Sequence, residues 1–69
     1  MHPSTEHILR YFDFAHLPPH LAEVSRPFAA LANDLANTLD GPELTVALRK
    51  LLESKDAAVR AALDTPKEG

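Results

Sequence analysis

The sequence predicts an all-α chain in which a short N-terminal helix precedes an antiparallel two-helix hairpin. Three observations carry that expectation. The apolar residues are dominated by eleven Ala and eleven Leu, against three Val and one Ile, a composition that favours helix over strand. Large apolar residues recur at steps of three or four along two long stretches, the spacing of a helical stripe. Between those stretches stands Asp40-Gly41-Pro42, a run that ends one helix and suits the start of another.

The N-terminal segment, residues 1–18, begins with Ser4 or Thr5 as a candidate cap, followed by Ile8, Leu9, Tyr11 and Phe12 at spacings that fit two helical turns. His16, Leu17, Pro18 and Pro19 then oppose helix, because a residue before proline avoids the α region. The connection from Phe12 to Pro19 is expected to be extended and ordered by its aromatic residues.

The first long helix is expected over residues 19–39, with its stripe at Leu21, Val24, Phe28, Leu31, Leu35 and Leu39. Pro27 falls inside it and removes one hydrogen bond, but Val24 and Phe28 keep register across it, which predicts one bent helix. Gly41 is expected to supply a left-handed cap, and Pro42 with Glu43 to open the second helix over residues 43–63. The stripe of the second helix is Leu44, Leu48, Leu51, Lys55, Ala58 and Ala62, widened by Leu52, Val59 and Leu63. Residues 64–69 are polar and are expected to fray.

A hairpin within 69 residues, with no Cys to staple it, leaves one side of each helix without a partner, and a homo-oligomer is the expected solution. No apolar run is long enough for a membrane span and no leader pattern is present, so a cytoplasmic protein with no membrane partner is expected. The net charge of −3 argues against a partner of long DNA or RNA. Charge is nevertheless uneven, since residues 44–63 hold Arg49, Lys50, Lys55 and Arg60 against only Glu53 and Asp56.

Catalytic signatures are missing. The only glycines, Gly41 and Gly69, cannot build a phosphate loop, and no nucleophile elbow or paired catalytic carboxylate stands out. His16 and His20 are four apart, but two prolines separate them and no metal-binding spacing exists. The chain is therefore expected to be no enzyme and to need no cofactor or metal.

Lys55 is the strongest pointer to a site, because it fills a stripe position where Leu belongs and where an ammonium needs a partner. It either reaches the rim, pairs with Asp34 or with a carboxylate of another copy, or meets an anionic ligand. Arg49, Lys50 and Arg60 make the same helix basic, and guanidinium suits phosphate. Tyr11, Phe12, Phe14 and Phe28 are core candidates by default, although an aromatic ring beside a cation is also the usual grip on a nucleotide.

The segments FDFAHLPP, SRPFAALANDLA and PELTVALRKLLESKDAAVRAAL together resemble the phage-encoded cyclic-nucleotide sponges that defeat CBASS and related bacterial immunity, over about residues 12–63. That resemblance implies a homohexamer, arranged as three dimers, that sequesters cyclic dinucleotides between protomers inside the infected bacterium. In some members cyclic trinucleotides occupy separate pockets near the threefold axis. It implies base stacking on Phe14, with Tyr11 as a neighbour able to substitute, and phosphate contact by Arg26. Leu17 here separates the family's His from its Pro, and the aromatic and Asn of the family's second helix are missing around Ala57 to Val59.

The expected ligand-binding set is Tyr11, Phe14, His16, Arg26, Arg49, Lys50, Lys55 and Arg60. The expected function is sequestration of a cyclic di- or trinucleotide, or a related nucleotide signal, without degradation. The alternative is a non-catalytic helical protein-interaction module that docks through its Leu-rich stripes.

Overall fold

The structure, a computed structural model, describes residues 3–65, which form three α-helices and one 3-10 turn with no strand among them. Helix α1 spans Pro3–Leu9, the 3-10 turn Arg10–Phe12, α2 Pro19–Thr38 and α3 Pro42–Asp64. α2 packs chiefly on α3, and α1 with the 3-10 turn lies across both. The result is a rod of 44 × 18 × 16 Å.

α1 is already under way at Pro3, so Ser4 and Thr5 sit inside its first turn instead of capping it. Thr5, Ile8 and Phe12 are buried at steps of three and four, which explains why so short a helix holds: its inner face is clamped by the hairpin. After Leu9 the coil tightens, and the Asp13 amide donates to the Arg10 carbonyl at 3.2 Å. Tyr11 is turned outward as Phe12 turns in.

The connection to α2 is extended only at its ends, at Asp13 (φ −62°, ψ 134°) and Pro18 (φ −56°, ψ 151°). Between them the chain turns. The Leu17 amide donates to the Phe14 carbonyl at 3.1 Å and the Ala15 amide to Asp13 Oδ1 at 3.3 Å. An aspartate accepting from the backbone two residues on is a local turn device that the proline-based expectation of extended chain overlooked.

α2 runs unbroken through Pro27. Pro27 and Glu23, whose carbonyl loses its helical donor, are both exposed, so water can replace the missing bond. The buried line of α2 is Leu21, Ser25, Ala29 and Ala32, of which Leu21 alone belongs to the predicted series of large residues. Val24, Phe28 and Leu35 are half-buried along one flank, and Leu31 and Leu39 are exposed. Small side chains occupy the centre of the buried line, where Ala29 and Ala32 join Leu44 and Leu48, and the bulky ones cover its edge.

α3 meets this seam with Leu44 and Leu48 buried and Leu51 and Leu52 half-buried. The core that results is Ile8, Phe12, Ala29, Ala32, Leu44 and Leu48, one contiguous cluster with contributions from every element. Pro42 occupies the first turn of α3, and Glu43 meets the positive end of its dipole, as the sequence predicts.

Gly41 has a different role from the one expected. α2 ends at Thr38 and its cap, Leu39, is extended (φ −122°, ψ 158°), with the Leu39 amide still donating to Leu35 at 2.9 Å. Gly41 instead precedes α3, at φ 96° and ψ 175°, a region open essentially to glycine alone. It reverses the chain at the far end of the rod.

Ser25 is fully buried and its hydroxyl has no hydrogen-bond partner among the described residues. Ser25→Ala is therefore expected to stabilise the fold by about 1 kcal/mol, because it deletes an unsatisfied buried polar atom and improves helix propensity. A urea midpoint that stayed fixed or fell would contradict this. Among the described residues no helix is long and apolar enough to cross a membrane. The expected frayed tail falls largely on residues 66–69, outside those described, and α3 itself continues to Asp64.

Candidate ligand-binding site

Lys55 lies on the α3 stripe about one turn beyond Leu51, and its side chain is only 12% exposed. Its partner is the adjacent Asp56, with Nζ 2.9 Å from Oδ1. Asp34 and a second copy, the partners considered from sequence, are not needed for this bond. Asp56 is itself half in solvent, at 48% exposure. An ammonium has three donors, and Asp56 is the single acceptor paired with Lys55 among the described residues.

The Lys55 side chain borders a recess of about 410 Å³ formed where α3 passes the 3-10 turn and the following connection. Arg10, Tyr11, His16 and Arg60 share its walls, with Asp13 and Asp56 as the acidic members and Leu17 and Val59 as the apolar ones. Tyr11, His16, Lys55 and Arg60, four of the residues singled out from sequence, thus come together from segments more than 35 residues apart. The 3-10 turn makes this possible: one tight turn points Phe12 into the core and leaves Arg10 and Tyr11 on the recess side.

Phe14 and Arg26 also come together, but with each other. The Arg26 guanidinium carbon sits 5.6 Å from the centroid of the Phe14 ring, a cation–π contact, while Phe14 is half-buried against the core. A base stacking on that face of Phe14 would have to displace Arg26. Arg49 lies nearer the start of α3 and lines a second recess between α1 and α3. Lys50 is exposed and borders neither recess.

Sequence reasoning passed over Arg10 and Asp13. Both belong to the recess, and the signal for Arg10 was its place beside Tyr11, an aromatic residue next to a guanidinium. The recess gathers three cations, two carboxylates, one ring and an imidazole, an excess of one positive charge that can hold a compact anion. Among the described residues no group of three or more His, Cys, Asp or Glu side chains is gathered to hold a metal ion.

Comparison with known proteins finds no match: no family model, no curated protein and no solved structure aligns with the chain.

Proposed function

We propose that this chain is a non-catalytic binding protein that assembles with copies of itself and sequesters a cyclic di- or trinucleotide, or a related nucleotide signal, inside an infected bacterium. The observation that carries the reading is Lys55, a largely covered side chain on the wall of a recess with three cations, whose ammonium has one acceptor among the described residues for its three donors. Arg10 and Arg60 add guanidinium groups able to grip phosphate, and Tyr11 adds an exposed ring. The likeness of residues 12–63 to the phage sponges names the class of ligand. Self-assembly, with the hexamer as the expected form, is supported by the apolar side chains left outside the core, Leu31, Leu39, Val46 and Leu63.

Calorimetry against a panel of cyclic di- and trinucleotides, followed by heat denaturation and recovery of the ligand, tests the proposal. Tight binding with the nucleotide returned intact is expected. A chemically altered nucleotide would make the protein an enzyme. Absence of binding across the panel would favour the second reading, a helical interaction module, which the same exposed apolar residues support. A stably folded lone subunit in sedimentation at micromolar concentration would remove the assembly from the proposal.

A further inference from the structure

Asp13, on the wall of the Lys55 recess, is out of keeping with a ligand that is an anion and nothing more. Arg10, Lys55 and Arg60 share that wall, yet among the described residues Asp13 forms an ion pair with none of them, whereas the other acid, Asp56, is tied to Lys55 at 2.9 Å. The Ala15 amide donates to Asp13 Oδ1 at 3.3 Å and fixes the carboxylate on its own turn, and Oδ2 has no hydrogen bond among the described residues. A carboxylate left unneutralised repels a phosphate that enters beside it. It is equally an acceptor in want of a donor, and it attracts a ligand that brings N–H groups along with its phosphate.

The exposed ring of Tyr11 stands two residues before Asp13 and lines the same recess. A base stacked on that ring turns its hydrogen-bonding edge, not its face, toward the surrounding wall. Edge chemistry then separates the bases. Guanine carries two adjacent donors, N1–H and the 2-amino group, which match the two oxygens of a carboxylate. Adenine sets the lone pair of N1 beside its 6-amino group, cytosine sets that of N3 beside its 4-amino group, and uracil holds N3–H between two carbonyls, so each of them brings an acceptor against the acid. We infer that Asp13 reads the base, and that the recess selects guanine nucleotides over adenine nucleotides.

This inference rests on the sequestration reading and deepens it by naming the base. Calorimetry with the 3′,5′-linked cyclic dinucleotides of guanine and of adenine, run on the full chain and on Asp13→Asn and Asp13→Ser, tests it. Both substitutions keep an oxygen able to accept from the Ala15 amide, and position 13 is exposed, so the urea midpoints should stay near that of the parent. The parent is expected to bind the guanine compound about tenfold more tightly than the adenine compound. Each variant is expected to lose about tenfold for guanine and less than twofold for adenine.

A parent with equal affinity for the two compounds, or with a preference for adenine, would refute base selection and leave sequestration standing. Equal losses for the two compounds in either variant would also refute it, because an acid that contacts the sugar, or only braces the turn, does not tell one base from the other. A parent that binds neither compound would overturn base selection, and the sequestration reading with it if no cyclic trinucleotide binds either.

Discussion

Phe12→Ala is expected to lower the stability of the fold by about 3–5 kcal/mol, the usual loss when a buried aromatic side chain is truncated. Phe12 is 1% exposed and is the point at which the N-terminal segment enters the core. α1 has seven residues, far too few to persist as a helix in water, so without this anchor it has no independent reason to stay folded. A domain of this size is stabilised by only about 3–10 kcal/mol in total, so the loss is a large share of it. Urea denaturation followed by circular dichroism measures the effect. Tyr11→Ala, one residue away and on the outer surface, should change stability by less than about 1 kcal/mol. Similar losses for the two variants would mean that the inward and outward assignment of this turn is incorrect.

The second large effect is on binding. Lys55→Met keeps a long apolar stem in the seam and removes only the charge, so the packing of α3 should survive. Asp56 loses its partner, but at 48% exposure its carboxylate is hydrated, and the cost of leaving it unpaired is small. The variant should unfold within a few degrees of the parent and bind the nucleotide at least tenfold more weakly, since a charge-assisted contact to phosphate has gone. Retained affinity would take Lys55 out of the site. Loss of the fold in the same variant would make Lys55 a structural residue.

Much of α3 is legible in the sequence, because Leu44, Leu48 and Leu51 fall on one stripe and Pro42 with Glu43 marks its start. Lys55 is legible for the opposite reason, as the polar residue that breaks that stripe. α2 was harder to read. A periodicity argument weights residues by apolar size and so selects Val24, Leu31 and Leu39, yet the axis of contact runs through Ser25, Ala29 and Ala32, where closeness of approach matters more than area. The two lines are neighbours on the helix and meet at Leu21, and Phe28 and Leu35 of the expected stripe pack against the core, so the inner face lies one flank away from where periodicity centres it.

The candidate site was legible only as a set of residue types. Lys55 and Arg60 announce a cationic helix, and Tyr11 and His16 announce an aromatic, polar entry, but nothing in either stretch says that they meet. That follows from the 3-10 turn and from the Asp13-based turn after it, local devices that redirect the chain by a few residues. Arg49 was selected together with Lys50 on charge alone. The structure separates them, one bordering the recess between α1 and α3 and the other lining neither recess.

The seam of small side chains on α2 also inverts the ordinary relation between bulk and importance. Any enlargement at Ala29 or Ala32 overpacks the core they share with Leu44 and Leu48, whereas Leu31, Leu39 and Leu63 are largely exposed within the subunit. Within one subunit, freedom to drift therefore belongs to those leucines and constraint to the alanines. The chain can redesign the surface it shows to other molecules without disturbing the spacing of the two helices on which its own shape depends.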